Sequence, residues 1–226
     1  MSASQQLPLR VVVLVSGRGS NLQAIAARAA QGTLPVEIVA VVSDRPAAGA
    51  LTWAAEHGVP TVALATETYK DRKDYCRALG DIVAGFAPDL VLLAGFMRIL
   101  SDEFVRRFAG RMLNIHPSLL PRHPGLHTHR RALEAGDLEH GASVHFVTPE
   151  LDGGPVVLQA VVPVLPGDDE SRLAARVLRV EHRIYGDCVQ WYAAGRLQFR
   201  DGAAWLDGRR LDAPVVVRSE PEETLE

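Results

Sequence analysis

The sequence has only two cysteines, Cys76 and Cys188, far apart and outside any C-x-x-C spacing. Two such thiols build neither a disulfide framework nor a cysteine metal site, so a reducing cytoplasm is the expected setting. No apolar run reaches the roughly 20 residues needed to cross a bilayer. The opening MSASQQLPLR lacks the charged-then-apolar order of a secretory signal. Net charge is small, −3 at pH 7, with no stripe of Lys and Arg. Nucleic-acid and membrane-surface binders need a concentrated positive field, so neither partner is expected, whereas a small anionic substrate needs only local donors. Aromatic residues are scarce at 6%, and Trp53, Trp191 and Trp205 fall in separate segments, which suits packing better than a base-stacking platform. Internal repeats and dividing linkers are missing too. Residues 1–226 therefore read as a single domain with a core over about 10–211 and flexible ends at 1–8 and 218–226.

What is present is an alternation of short apolar runs and amphipathic stretches. Arg10–Ser16, Glu37–Ser43, Thr61–Leu64 and Asp89–Leu93 read as strands, and Asn21–Gln31, Gly49–His57 and Tyr69–Phe86 as helices between them. Continuous apolar strands separated by helices predict a doubly wound α/β fold, a mostly parallel sheet with helices on both faces. After Gly95 the spacing predicts a capped helix over Ser101–Phe108, a strand over Met112–Ile115, a Pro-rich loop over His116–Gly125 and a helix over Thr128–Glu134. Strands over Gly141–Val147 and Val156–Val164 flank an Asp152-Gly153-Gly154-Pro155 turn, and Asp169–Ala194 reads as a long helix. LQFR and AAWL around Asp201-Gly202 predict a C-terminal hairpin, and the acidic stretch from Arg218 a frayed tail.

Ser16-Gly17-Arg18-Gly19-Ser20-Asn21 joins the first strand to the first helix. Glycines let the backbone approach an anion, and the free N–H groups of a helix start point toward it. The Gly-Lys-Ser/Thr ending of a Walker loop and the third glycine of a dinucleotide fingerprint are both missing, so a phosphate monoester is predicted. Asp44, ending the second strand, imitates the ribose-binding acid of that fingerprint, but Arg45-Pro46 behind it favours a strand-end turn.

Asn114-Ile115-His116-Pro117 carries the chemistry. Strand alternation points Asn114 and His116 the same way, and Pro117 holds His116 extended and turns the chain out of the sheet. An amide donor beside an imidazole suits acyl transfer, one stabilising an oxyanion and the other moving protons near neutral pH. Taken alone, the pair fits a loop histidine beside a strand-end asparagine slightly better.

The surrounding sequence decides between the two. GFMRIL, LNIHPSLLP, PGLHTHRRALEAG and HGASVHFVTPELDGGPV, in that order, resemble the folate-dependent formyltransferases. SGRGSNLQAI and PGLHTHRRAL are similar to the branch that formylates glycinamide ribonucleotide in purine synthesis, and the resemblance runs from about Arg10 to Leu211. It implies a Rossmann-like formyltransferase fold, 10-formyltetrahydrofolate as co-substrate, glycinamide ribonucleotide as acceptor and no metal. It implies that Asn114 holds the formyl oxygen, that His116 shuttles protons and that Asp152 supports His116. A carboxylate near an imidazole favours its charged form, which suits that role. Gly19, Ser20 and Asn21 match the loop for the ribonucleotide phosphate, and Glu181 the carboxylate for its amine end. Arg72, Met97, Arg98, Ile99, Leu100, His145, Val147, Thr148, Pro149, Glu150 and Leu151, with Asn114 and Asp152, match the folate site. The sequence departs from the family pattern at Arg18, where a neutral residue is usual, and at Pro149, which removes one N–H donor from the folate loop.

Other readings fit less well. His127-x-His129 lacks a Cys or carboxylate at a recognised zinc spacing. Ser118 lies two residues from His116 without the Gly-x-Ser-x-Gly elbow of a hydrolase. Formyl-folate hydrolases carry a domain ahead of the catalytic one, and initiator-tRNA formyltransferases need an RNA-binding domain. A dehydrogenase would leave Asn114, His116 and Asp152 unused. Homo-oligomerisation is left open by the sequence.

Overall fold

A computed structural model describes residues 7–219. The chain opens on β1 (Leu9–Val15), where Val11–Val15 are all buried, so this strand needs cover on both faces. It is followed by α1 (Ser20–Ala30), β2 (Val36–Ser43), α2 (Gly49–Glu56), β3 (Thr61–Ala63), α3 (Arg72–Gly85) and β4 (Leu90–Leu93). Helix α3 starts later than the predicted Tyr69. The Asp71 carboxylate accepts the N–H groups of Lys73 and Asp74 at 2.8 and 3.0 Å, which fixes the N-terminus there.

The second half contains α4 (Asp102–Arg107), β5 (Met112–His116), α5 (Thr128–Glu134), β6 (Glu139–Phe146), β7 (Val156–Pro163) and the long α6 (Glu170–Ala193). Ser101 caps α4 and Asp169 caps α6, each through a side-chain oxygen. The predicted hairpin is β8 (Leu197–Arg200) with β9 (Ala203–Leu206), and a short β10 (Arg209–Arg210) adds to it. One expectation fails. Val215–Arg218 is a strand, β11, parallel to β7 at the sheet edge, so Arg218 belongs to ordered structure and the core extends past Leu211. Of the other residues expected to be flexible, 1–6 and 220–226 lie outside the described residues.

The main sheet has eight strands in the order β11-β7-β6-β5-β4-β1-β2-β3. All neighbours are parallel except that β6 runs against both β5 and β7. This is the doubly wound, mostly parallel α/β architecture. Leu22, Ile25, Leu51, Val177 and Ile184 bring α1, α2 and α6 onto one face, and Tyr75, Leu79, Val83 and Phe104 bring α3 and α4 onto the other. Among the described residues no helix is long and apolar enough to cross a membrane.

Side-chain alternation sorts the middle strands. Leu113, Ile115, Val144 and Leu158 join the core beneath α6. Asn114, His116, Ser143 and His145 take the opposite face, where Asn114 pairs with His145 and His116 with Ser143 across the β5–β6 ladder. The apolar helix layer gives way here to polar side chains and loops.

Candidate active site

Strand β1 has β2 on one side and β4 on the other, so the connections diverge and a crevice opens beyond the strand ends. A cleft of about 620 Å³ occupies it, lined by Gly17–Asn21, Ala94–Ile99, Asn114–Pro117, Gly125–His129, Leu151, Asp152 and Glu181.

At one end lies the glycine loop. Gly19 caps α1 with φ 78°, and a Cβ there would sit 2.6 Å from the Ala50 Cβ, so this turn admits glycine on both conformation and space. The Gln23 N–H closes the first helical turn on the Gly19 carbonyl at 2.9 Å, which leaves the amides ahead of it as the donors a helix start presents. Asn21 Nδ2 donates to Glu181 Oε2 at 2.7 Å, tying the loop to α6. Glu181 is 8% exposed, and burial pushes its carboxyl up to about 7 against the opposing Asn21 hydrogen bond.

At the centre, donor and acceptor roles follow from one fixed point. The Phe146 carbonyl can only accept, so His145 Nδ1, 2.9 Å away, carries the proton. His145 Nε2 is then an acceptor and takes a hydrogen from Asn114 Nδ2 at 3.0 Å. Burial lowers the His145 pKa, which agrees with a neutral ring. The chain of bonds orients the Asn114 amide with its nitrogen inward, and the second Nδ2 hydrogen remains for a ligand.

His116 is 6% exposed and lies between two acceptors. Its Nε2 is 3.1 Å from the His123 carbonyl and its Nδ1 3.6 Å from Asp152 Oδ2. The His123 carbonyl can only accept, so Nε2 carries a proton. The Asp152 separation is that of an ion pair, longer than a hydrogen bond. Asp152 adopts φ 51°, which Asp tolerates better than most residues, and Oδ2 accepts the Gly125 N–H at 2.8 Å. A Cβ on Gly154 would collide with the Phe146 carbonyl, so the turn holding Asp152 can lie close against β6.

Below Asn114 a slot of about 80 Å³ is bounded by Arg98, Ile99, Leu100, His145 and Val147–Asp152. Beyond it an outer cavity of about 480 Å³ is lined by Arg72, Tyr75 and Met97–Ile99, among others. Every residue expected at the site therefore borders one of three adjoining cavities, Arg72 only the outermost. Pro149 belongs to the slot wall without an N–H to offer, and Arg18 is exposed at the cleft rim.

Several parts of the site escaped the sequence reading. The Ser143 hydroxyl donates to the Ser118 carbonyl at 2.6 Å and accepts the Leu120 N–H at 3.0 Å, while Gln159 Nε2 donates to the Leu120 carbonyl at 2.8 Å. These buried groups pin the loop after His116; polar residues inside otherwise apolar strands were the available signal. Ser118 is fully buried and donates to the Arg122 carbonyl at 2.7 Å, a loop staple and not a nucleophile. His129 Nδ1 lies 3.1 Å from His140 Nε2, and burial first, then neighbouring histidines, push His140 down to about 4. Asp44, read as a turn residue, is buried in an ion pair with Arg98.

The sequence profile described as formyl transferase matches residues 9–189. The phosphoribosylglycinamide formyltransferase of Escherichia coli (strain K12) is 54% identical over 203 residues, covering 90% of this chain and 96% of that one. The solved phosphoribosylglycinamide formyltransferase from Coxiella burnetii superposes with a TM-score of 0.88 at 45% identity, covering 92% of this chain and 99% of that one. A formyltetrahydrofolate deformylase from Pseudomonas putida superposes with a TM-score of 0.81 at 28% identity, covering 91% of this chain and 72% of that one. With its site geometry and these likenesses together, the chain belongs to the formyl transferase family.

Proposed function

We propose that this protein transfers the formyl group of 10-formyltetrahydrofolate to the amine of N1-(5-phosphoribosyl)glycinamide, a step of purine synthesis in the cytoplasm. The observation that carries this reading is the joining of a phosphate-type loop and an Asn114–His116–Asp152 centre in one cleft of about 620 Å³. Further support comes from the 54% identity to the Escherichia coli enzyme of that name.

In this reading the ribonucleotide phosphate meets the amides at the start of α1, Gly19, Ser20 and Asn21, and its glycinamide end lies near Glu181. The folate ring enters the slot beside Leu100 and Val147, with Arg98 and Arg72 along its arm. The acceptor amine attacks the formyl carbon directly. The carbonyl π pair moves to oxygen, and the oxyanion of the tetrahedral intermediate is met by the free Asn114 Nδ2 hydrogen, with the His116 imidazole beside it. Collapse breaks the bond to N10 of the folate, while the proton lost by the amine passes by way of Asp152 to N10. Atoms balance: one N–C bond forms, one breaks and one proton moves.

The test offers 10-formyltetrahydrofolate with and without the ribonucleotide and follows free tetrahydrofolate. Release that depends on the acceptor, with formylated ribonucleotide as product, is expected. Equal release without acceptor would replace this reading with hydrolysis, the reaction named for the Pseudomonas putida neighbour.

A further inference from the structure

Among the described residues, Arg98 is the one charged side chain that borders all three cavities. Its guanidinium therefore stands where the reaction cleft, the ring slot and the outer cavity meet. The Nε donates to Asp44 Oδ2 at 2.7 Å. The Arg98 side chain remains 44% exposed, whereas that of Asp44 is wholly buried. Holding the guanidinium by Nε leaves the two terminal amino groups, with four N–H donors in a fixed plane, available to a ligand.

The partner is an expensive one. Asp44 lies at the end of β2, and its Oδ1 is buried with no hydrogen-bond partner. The neighbouring Tyr75 hydroxyl is likewise buried and unpartnered, and burial and then the Asp44 charge push its phenol up, so it stays neutral. A carboxylate kept out of water with one oxygen unsatisfied contributes little to stability even when paired. Stability alone therefore gives a poor account of it, since an uncharged residue of similar size would fill the space at lower cost. The arrangement does fix the plane and direction of Arg98 at the junction.

We propose that Asp44 is a positioning residue for the formyl donor, aiming the terminal amines of Arg98 at the carbonyl or carboxylate oxygens of the arm that runs from the ring slot into the outer cavity. This rests on the formyl-folate reading of the site and adds to it the residue that sets the geometry of donor binding. Asp44 touches no substrate and acts through Arg98. Ribonucleotide binding, at the far end of the cleft, is independent of it.

The experiment measures donor dissociation by calorimetry and steady-state kinetics for the full-length protein and for Asp44→Asn, Arg98→Ala and the double variant. Asp44→Asn keeps the shape and removes the charge. The KM and Kd for 10-formyltetrahydrofolate should rise about tenfold, the scale of losing one charge-assisted hydrogen bond. Ribonucleotide KM and kcat at saturating donor should stay within about twofold, a split that a general loss of structure would not give. In the Arg98→Ala background the second substitution should add nothing. Unchanged donor affinity in Asp44→Asn, an equal further penalty in the Arg98→Ala background, or a parallel rise in ribonucleotide KM would each overturn the proposal. Should Asp44→Asn fail to fold, Asp44→Ser, also uncharged at that position, is put through the same donor measurements, and the same rise in donor Kd is expected. Failure of the unsubstituted protein to bind the donor would instead refute the formyl-folate reading.

Discussion

Replacing Glu181 by glutamine should make the protein more stable at neutral pH, and the gain should grow as pH rises. Burial moves this carboxyl from the usual 4.5 to about 7. Between those values the folded protein holds a proton that the unfolded chain has released, so this group lowers stability progressively as pH rises from 4.5 to about 7, above which the loss levels off. With 1.36 kcal/mol for each pH unit of displacement, the loss between pH 5 and pH 8 comes to about 2–3 kcal/mol. The glutamine amide would not titrate, and its oxygen could still accept from Asn21 Nδ2, the 2.7 Å bond that Glu181 now receives. Urea unfolding of both proteins from pH 5 to pH 8 reads the difference. Midpoints should diverge by about 1 M across the range, given the urea dependence of a chain this size. Parallel midpoint curves would refute the argument and mean that Glu181 is ionised in the folded state throughout.

Three further outcomes follow from the site. Gly19→Val should raise the ribonucleotide KM while leaving formyl-donor binding near normal, because the substituted Cβ meets Ala50 and the turn has positive φ; an unaltered ribonucleotide KM would remove the loop from the phosphate site. Asn114→Ala should lower kcat by about two to three orders of magnitude, the usual loss for an oxyanion donor, with donor Kd little changed; retained kcat with weakened donor binding would make Asn114 a binding group. Asp152→Asn should lower kcat by roughly 10²–10⁴-fold through lost acid–base help, and near-normal turnover would reduce Asp152 to a turn residue.

Much of this was legible in the sequence, for identifiable reasons. Apolar continuity in Val11–Val15 and Leu90–Leu93 marked strands covered on both faces, and their alternation with helices marked the parallel sheet. Strand periodicity puts Asn114 and His116 on one face, and the β5–β6 ladder has them there. The misses involve partners distant in sequence. Val215–Arg218 is a strand because β7 leaves an edge for it to pair with, and nothing within the tail reports that edge. Asp44 next to Arg45-Pro46 carries a turn signal, yet its carboxylate meets Arg98, on the loop after β4. Ser143 and Gln159 interrupt otherwise apolar strands, and the loop they pin explains them.

The reversed direction of β6 has a consequence for assembly. Strands β5, β6 and β7 follow one another in the chain and pair as antiparallel neighbours, so contacts in that half of the sheet close comparatively short loops. The pairing of β1 with β4 is different in kind, since Val11 meets Leu90 only after β2, β3 and three α-helices have been laid down between them. Entropy disfavours that closure until other contacts reward it. The reaction cleft straddles this seam, with the glycine loop after β1 on one side and the Asn114–His116 pair on the other. Turnover can therefore begin only when the seam has closed, and regain of activity during refolding marks completion of the topology, not the first appearance of helices and strands.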